Sequence, residues 1–341
     1  MNGFCATCAI ALAIIVPTIS PPMSPGPDVA AIALRSQKLS TLIQERSELL
    51  SSHKVESPHL DCEIIMQHVL GVERSFIIMN HTNQVPRDKE LLFWKLTKKR
   101  AERYPISQII GNREFWSKNF IVNQHVLDPR PDSETLISTV LKYYPNKKQR
   151  LKIADFGTGT GCLLISVLSE YENAVGIGFE KSLEAYKVAY QNTKKHNLLS
   201  RAKIFPSSWT ECRGSFDLII SNPPYIKRSK LKDLQAEVQK EPRIALDGGI
   251  DGLNCYLSIF LILKKCLKKN GFAILEIGED QNDIDKIIPS YELAFQEYRI
   301  LKTLLFFFAL TVNPNDGQLD YQLLLQQFQK KPPFFRNHRV K

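Results

Sequence analysis

The chemical groups that stand out in this chain lie in the tetrapeptide Asn222-Pro223-Pro224-Tyr225. It directly follows the apolar run Phe216–Ser221, and the prolines stop that run because proline cannot donate to a strand ladder and keeps its predecessor extended. The pattern predicts a buried strand that ends in a rigid turn. In open α/β sheets, ligands bind at the carboxyl ends of strands. The turn is therefore expected to present an amide, a free carbonyl and an aromatic ring to a planar nitrogen group.

A glycine-rich loop lies upstream, at the end of another predicted strand. Asp155 is near the end of that strand, and Gly157, Thr158, Gly159 and Gly161 follow before a predicted helix. The glycines let the backbone approach a ligand closely. The spacing differs from the G-x-G-x-x-G of dinucleotide sites, whose helix N-terminus accommodates a pyrophosphate. It suits a ligand without phosphate and predicts S-adenosylmethionine, with its amino and carboxylate groups over the loop and Asp155 near the ammonium.

Three more positions are assigned to the predicted cofactor site. Glu180 follows the second predicted strand, where its carboxylate can accept hydrogen bonds from both ribose hydroxyls. Trp209 follows the third strand, and Asn222 follows the fourth. Because the carboxyl ends of parallel strands meet at one edge of a sheet, these side chains are expected to lie near the glycine loop.

Strand-like runs alternate with helical stretches from residue 150 onward. Such alternation predicts an α/β domain with a mostly parallel sheet that helices cover on both faces. The predicted strands are Leu151–Phe156, Ala174–Phe179, Ala202–Phe205, Phe216–Ser221 and Phe272–Ile277. The predicted helices between some of them are Cys162–Tyr171, Leu183–His196 and Leu253–Leu267.

The chain divides into five predicted segments. An apolar, proline-rich extension (1–38) precedes a helical module (39–103), a hairpin linker (104–134), a catalytic α/β domain (135–310) and a basic tail (311–341). The apolar part of the extension is short for a membrane span and lacks the positive leader of a signal peptide. An appended extension, a misassigned start and a weak membrane anchor all stay open.

The composition is that of an ordinary globular protein, with 341 residues of which 43% are hydrophobic and 23% charged. It excludes disorder throughout. A formal net charge of +10 favours an acidic or nucleic-acid-associated partner. Seven cysteines, an odd number without a disulfide framework, indicate a reducing compartment. The seven histidines show no pairing at ligand spacing, so no metal site is predicted.

Two further segments carry a resemblance to a known family. Asp128–Glu134 contains Pro-Arg-Pro-Asp-Ser-Glu, and Glu241–Leu253 reads Glu-Pro-Arg-Ile-Ala-Leu-Asp-Gly-Gly-Ile-Asp-Gly-Leu. With the glycine loop, Glu180 and the Asn-Pro-Pro-Tyr turn, they make the chain resemble the HemK/PrmC peptide chain release factor N5-glutamine methyltransferases. These are class I S-adenosylmethionine-dependent enzymes with a Rossmann-like, mostly parallel sheet. The resemblance runs from about Leu39 to Gln281.

The resemblance implies methylation of the side-chain amide nitrogen of the glutamine in the Gly-Gly-Gln motif of release factors. An amide nitrogen is a poor nucleophile because its lone pair is delocalised, so orientation is the main source of rate. Asn222 and the Pro223 carbonyl would each accept one amide hydrogen, and Tyr225 would lie against the planar amide, with Pro224 stiffening the turn. Asn222, Pro223 and Tyr225 are the expected catalytic residues, and no general base is evident.

The resemblance also implies the partners. Residues 39–103 would recognise a release factor of bacterial or organellar type. Arg130 and Glu134 are expected at the entrance for substrate or cofactor, with a solvated ion pair between them as the alternative. Nucleic acid would be met only indirectly, through the ribosome-associated substrate, and a membrane contact of the extension stays open. The implied location is the cytoplasm for a bacterial protein, or an organelle for a eukaryotic one.

The sequence departs from the family pattern at two places, and two alternative functions stay open. Ser208 stands where many members have an acid for the adenine amino group, and the segment after Tyr298 lacks their Asp-x-x-Gly-x-x-Arg loop, so altered or poorly packed final strands are expected. One alternative is a degenerate relative that binds a release factor without turnover. The other is an adenine-N6 methyltransferase on DNA or RNA, which stacks a flipped base at a similar turn. The segments at Asp128–Glu134 and Glu241–Leu253 argue against the nucleic-acid enzyme.

Overall fold

The computed structural model describes residues 36–278, 281, 284, 293–300 and 305–312. The predicted extension, apart from 36–38, and the predicted tail, apart from 311 and 312, lie outside the described residues. The described part includes the glycine loop, the Asn-Pro-Pro-Tyr turn and both segments that carry the family resemblance.

Five helices form the amino-terminal part of the structure. They are α1 (Leu39–Ser52), α2 (Pro58–Leu70), α3 (Arg74–Met79), α4 (Arg87–Ala101) and α5 (Ile106–Ile110). Apolar residues at helical spacing give the longer helices one buried stripe each. Leu42, Leu50, Ile65, Met66 and Phe93 belong to one cluster and are completely buried. This part of the chain therefore has a hydrophobic core of its own.

A two-stranded antiparallel hairpin connects these helices to the sheet. Its strands, β1 (Asn112–Phe115) and β2 (Lys118–Ile121), are joined by a two-residue turn. Both turn residues, Trp116 and Ser117, have positive φ, at 51° and 55°, as the tight turn that matches strand twist requires. Phe115 is buried in the core between the main sheet and its helices, so the hairpin is anchored on the sheet domain.

The carboxyl-terminal part is a seven-stranded sheet. Its strands are β3 (Lys152–Phe156), β4 (Val175–Phe179), β5 (Ala202–Phe205), β6 (Phe216–Ser221), β7 (Leu267–Gly278), β8 (Leu293–Ile300) and β9 (Leu305–Val312). Their order is β5-β4-β3-β6-β7-β9-β8, and the first five in that order are parallel. The predicted α/β fold is thereby confirmed. The direction of winding changes between β3 and β6, and α/β sheets bind ligands at such a switch point.

Helices cover both faces of the sheet. They are α6 (Glu134–Tyr143), α7 (Cys162–Glu170), α8 (Leu183–Lys195) and α9 (Asn254–Cys266), and short 3-10 turns lie at Pro131–Ser133, Trp209–Glu211, Arg228–Asp233, Val238–Lys240 and Arg243–Ala245. One core cluster joins α6 and α7 to the sheet, and a second joins α9 to it. Ile153 of β3 belongs to the first cluster and its neighbour Ala154 to the second, as expected of strand alternation.

The final two strands form an antiparallel pair at one edge of the sheet. β9 pairs with residues 273–278 of β7, and β8 pairs with β9. These strands do pair, with a register shift between Phe295 and Glu297, and beyond this pairing the expectation of altered or poorly packed final strands stays a prediction. A ladder uses backbone N–H and C=O groups, which almost every residue provides, so it does not need that loop sequence. The connecting residues 301–304 lie outside the described part.

Candidate active site

Two adjoining cavities lie at the carboxyl ends of the parallel strands. The larger, of about 280 Å³, is lined by the glycine loop, the residues after β4 and the turn after β6. The smaller, of about 70 Å³, is lined by Pro223 and Tyr225 among others. Asn222 lines both cavities, as do Leu127 and Ala245. A ligand in the larger cavity and a group in the smaller one would therefore meet at Asn222.

The carboxylate of Asp155 is buried beneath the glycine loop. Thr158 donates its hydroxyl hydrogen to Asp155 Oδ2 at 2.6 Å, whereas Oδ1 accepts no well-formed hydrogen bond from the described residues. Burial raises the pKa of Asp155 to about 7, against the lowering effects of Thr158 and of the Leu164 amide. Asp155 is completely buried and is not among the described residues that line the larger cavity, but an under-satisfied buried carboxylate is costly, so it favours a cationic or N–H-bearing group nearby.

Glu180 lines the larger cavity just after β4. Its Oε2 accepts a hydrogen bond from Gly159 N at 2.9 Å, and its Oε1 accepts one from Ser182 N at 2.8 Å. Burial raises the pKa of Glu180, although these backbone amides lower it. The Lys181 amide also contacts this carboxylate. Three backbone amides therefore hold Glu180 in one orientation, and its remaining lone pairs can still accept hydrogen bonds from hydroxyls.

The glycine loop passes close to the indole of Trp209. The three loop glycines have positive φ, at 72° for Gly157, 55° for Gly159 and 81° for Gly161. A Cβ on Gly157 would stand 3.4 Å from the Trp209 ring. Trp209 Nε1 donates to Ser258 Oγ at 3.0 Å, which fixes the ring. Gly157, Gly159 and Trp209 line the larger cavity, whereas Gly161 precedes α7 as its N-cap.

The walls of the larger cavity fit S-adenosylmethionine. Glu180 offers a carboxylate, Trp209 an aromatic face, and Gly157 and Gly159 a backbone without Cβ atoms. Asp155 lies below the loop and is not itself among the described lining residues. Ser208 also lines this cavity, where an acid was expected. Its hydroxyl accepts a hydrogen bond from Thr210 N at 3.2 Å and so caps the following 3-10 turn.

Asn222 and Tyr225 are both connected to a buried carboxylate, Glu276, that the sequence analysis missed. Asn222 Nδ2 donates to Ser133 Oγ at 3.1 Å, and Ser133 donates its hydroxyl hydrogen to Glu276 Oε2 at 2.5 Å. Tyr225 donates its hydroxyl hydrogen to Glu276 Oε1 at 3.4 Å. Burial raises the pKa of Glu276 to about 7, against the lowering effects of its hydrogen bonds with Ser133, Tyr225 and Asn222. A lone acid in an apolar strand is the signal that could have identified this residue.

The backbone of Tyr225 is packed against glycines of the Glu241–Leu253 segment. A Cβ on Gly248 would stand 2.7 Å from Tyr225 Cα, and one on Gly252 would overlap the Tyr225 carbonyl oxygen. Gln281 donates its Nε2 hydrogen to the same oxygen at 2.9 Å. Glycine is therefore required at these positions by packing, since it allows the chain to approach Tyr225, which lines the smaller cavity.

Arg130 and Glu134 have different partners. Arg130 Nη2 donates to both carboxylate oxygens of Glu241 at 2.8 Å, and Arg130 lines the smaller cavity. Burial raises the pKa of Glu241 to about 7, although Arg130 lowers it. Glu134 Oε1 accepts a hydrogen bond from Trp116 N at 2.8 Å, so it joins the hairpin turn to the start of α6. Among the described residues that line the two cavities, Arg130 is present and Glu134 is not.

Salt bridges connect the loop after the Asn-Pro-Pro-Tyr turn to the amino-terminal helices. Glu237 Oε1 accepts from Arg100 Nη1 at 2.8 Å and from Arg103 Nε at 2.7 Å, while Oε2 accepts from Arg103 Nη2 at 2.7 Å. Burial acts to raise the pKa of Glu237, but the two arginines lower it to about 2. The next residue, Val238, lines the smaller cavity. The helices and the smaller cavity are therefore held together by this loop.

Two other kinds of feature are missing from the part of the chain that the structure describes. It contains no group of three or more histidine, cysteine, aspartate or glutamate side chains that could hold a metal ion. It also contains no helix that is both long and apolar enough to cross a membrane.

Comparison with known families gives two matches. The PrmC N-terminal domain matches residues 41–111, and the methyltransferase small domain matches residues 117–248. The first match covers the amino-terminal helices, and the second runs from the hairpin turn through the glycine loop and the Asn-Pro-Pro-Tyr turn.

Similar proteins include the release factor glutamine methyltransferases of Caulobacter vibrioides and Agrobacterium fabrum. They are 36% and 35% identical to this chain over 67% and 72% of its length, which corresponds to 80% and 89% of their own. A bifunctional methyltransferase of Rickettsia typhi is 36% identical over 71% of the chain, and the match covers 51% of that protein. The chain thus spans most of the first two relatives and about half of the third.

Solved structures with a related fold include a ribosomal protein L11 methylase from Lactobacillus delbrueckii subsp. bulgaricus, with a TM-score of 0.39 at 19% identity. That match covers 55% of this chain and 82% of the other. The hMettl16 catalytic domain gives a TM-score of 0.48 at 13% identity, covering 68% and 84% of the two chains. A likeness of this size carries no argument about the substrate.

Proposed function

The chain belongs to the family of release factor glutamine methyltransferases, and on that premise we propose that it methylates a peptide chain release factor. The methyl group would pass from S-adenosylmethionine to the side-chain amide nitrogen of the glutamine in the Gly-Gly-Gln motif. N5-methylglutamine and S-adenosylhomocysteine are the products. The observation that carries the proposal is Asn222, which lines both cavities and so stands between a methyl donor and a small planar acceptor.

The smaller cavity suits a primary amide. Asn222 would accept one amide hydrogen through Oδ1, the Pro223 carbonyl would accept the other, and the Tyr225 ring would lie against the amide plane. These contacts hold the nitrogen in line with the methyl group. Such orientation gives a weak nucleophile its largest gain in rate. Pro223 and Pro224 fix the backbone before the substrate arrives. The nitrogen then loses a proton, which leaves to solvent.

The larger cavity would hold S-adenosylmethionine, whose sulfonium supplies an electrophilic methyl group. Glu180 would accept the ribose hydroxyls, and Trp209 would lie against the adenine. Asp155, held by Thr158, would face the ammonium beneath the glycine loop. A cation beside Asp155 favours the ionised carboxylate, whose pKa burial otherwise raises to about 7.

The amino-terminal helices would contact the release factor beside the acceptor cavity. The salt bridges from Arg100 and Arg103 to Glu237 support this role, because they fix the helices on the loop that lines the cavity. Arg130 would border the acceptor, while the contact of Glu134 with the hairpin supports the site indirectly. The partner would be a release factor of bacterial or organellar type, met in the cytoplasm for a bacterial protein. The division into 39–103, 104–134 and 135–310 is part of this proposal.

Methyl transfer from S-adenosylmethionine with a labelled methyl group tests the proposal. The acceptors are a release factor, the same factor with its Gly-Gly-Gln glutamine replaced by alanine, and adenine-containing DNA and RNA oligonucleotides. We expect label only in the unaltered release factor, and none when the enzyme carries Asn222→Ala. Label in an oligonucleotide would instead indicate adenine methylation. An absence of label in every acceptor would indicate a degenerate relative, and either result overturns the proposal.

A further inference from the structure

Ser133 and Glu276 lie next to Asn222, and both side chains are buried. Neither is among the described residues that line the two cavities. We infer that the two residues form a positioning relay, which fixes the direction of the Asn222 side-chain amide so that Oδ1 faces the acceptor. The inference rests on the proposed function, since it concerns how the acceptor amide is held.

The hydrogens available in the relay determine which way the Asn222 side-chain amide points. An ionised carboxylate can only accept, so the single hydroxyl hydrogen of Ser133 goes to Glu276 Oε2, 2.5 Å away. The Ser133 oxygen then offers only lone pairs to Asn222, so the atom that faces it at 3.1 Å has to be the donor Nδ2. Oδ1 of Asn222 is left for a hydrogen of the acceptor amide.

A reversed Asn222 amide would fail at both of its ends. Oδ1 would face the Ser133 oxygen, whose hydrogen is already given to Glu276, so two acceptors would be opposed in a buried place. Nδ2 would face an N–H of the acceptor amide, so two donors would be opposed there. The negative charge of Glu276 therefore excludes the direction of Asn222 that cannot hold the acceptor.

Glu276 also holds Tyr225, a second residue that lines the smaller cavity. Tyr225 donates to Glu276 Oε1 at 3.4 Å, and Tyr256 donates its hydroxyl hydrogen to the Glu276 carbonyl oxygen at 3.0 Å. Glu276 belongs to β7, which lies inside the sheet between β6 and β9. The Glu276 side chain thus orients both Asn222 and Tyr225, the first and last residues of the turn.

Four enzyme variants test the relay: Ser133→Ala, Ser133→Thr, Asn222→Ala and the double variant Ser133→Ala with Asn222→Ala. The measurements are kcat and KM for the release factor at about pH 8, above the pKa of Glu276, and the affinity for S-adenosylmethionine by calorimetry. We expect Ser133→Ala to lower kcat by about 10²-fold with unchanged cofactor affinity. Ser133→Thr keeps the hydroxyl and should keep kcat near wild type. The double variant should be no slower than Asn222→Ala, because Ser133 acts through Asn222.

Several results would overturn the relay while the wild-type chain is active. They are wild-type kcat in Ser133→Ala, an equal loss in a Ser133→Thr protein that binds cofactor normally, or additive losses in the double variant. If Ser133→Ala does not fold, Glu276→Gln takes its place. Its amide can donate to Ser133 and free the hydroxyl hydrogen for Asn222, so full turnover there also overturns the relay. A wild-type chain that methylates no release factor refutes the proposed function, and the inference with it.

Discussion

Replacing Gly252 with alanine tests how Tyr225, which lines the smaller cavity, is held in place. Gly252 has a φ of 83°, and a Cβ built on it would overlap the Tyr225 carbonyl oxygen and stand 2.5 Å from Gln281 Nε2. Those two atoms are hydrogen-bonded to each other at 2.9 Å. The added methyl group must therefore break this hydrogen bond, move Tyr225 or displace the loop that carries Gly252.

The expected loss of stability has two parts. Alanine in the left-handed region costs about 1 kcal/mol, and forcing a methyl group into a filled space costs about 1–3 kcal/mol more. Gly71 provides the matched control, because its φ is 69° and no described atom lies within 4 Å of its Cβ position. Gly252→Ala should thus lower the free energy of unfolding by about 2–4 kcal/mol, against about 1 kcal/mol for Gly71→Ala.

Urea denaturation measures the stabilities, and methyl transfer to a release factor measures turnover. We expect Gly252→Ala to lower kcat by about 10- to 100-fold, because each way of making room for the methyl group disturbs the contacts that hold the Tyr225 backbone. Its affinity for S-adenosylmethionine should be unchanged, since Gly252 is not among the described residues that line the larger cavity. Gly71→Ala should keep full turnover. Equal stability losses and equal turnover in the two variants would refute the packing argument.

Three further predictions concern buried charges. The pKa values of Asp155, Glu241 and Glu276 are each raised to about 7 by burial, so their stabilising contribution is complete below the pKa values of the unfolded chain and is lost as pH rises through about 7. The free energy of unfolding should therefore fall by about 2 kcal/mol per pH unit near neutrality, and a flat profile in urea denaturation would contradict this. Asp155→Asn should weaken S-adenosylmethionine binding by about tenfold or more in calorimetry, and unchanged affinity would remove Asp155 from the site. Glu237→Gln should cost about 1–3 kcal/mol in thermal unfolding, because the buried Arg100 and the partly exposed Arg103 lose the negative charge that they share. Glu184→Gln, at an exposed pair, should change nothing measurable.

The parallel part of the fold could be predicted from the sequence because its strands leave a local pattern. Apolar runs such as Phe216–Ser221 end at prolines or glycines, and the structure has strands at those positions. The antiparallel pair of β8 and β9 could not be predicted in the same way. The run Leu305–Val312 is as apolar as the parallel strands, but an apolar run does not show which strand it pairs with or in which direction.

The site could be predicted only where its residues follow strand ends. Asn222, Glu180 and the glycine loop meet because parallel strands align their carboxyl ends. Ser133 and Glu276 are 143 positions apart and are joined by a hydrogen bond, and nothing in the sequence states which buried acid meets which hydroxyl. Glu134 was assigned to the entrance from its motif alone, and its hydrogen bond to the hairpin turn depends on how that turn folds back on α6.

Tandem mass spectrometry of a release factor incubated with this chain and S-adenosylmethionine tests the central claim most directly. The peptide that contains Gly-Gly-Gln should gain one methyl group, with fragment ions that place it on the glutamine side chain, and the gain should disappear with Asn222→Ala. A methyl group on any other residue, or a peptide that stays unmodified with the wild-type chain, would contradict the account.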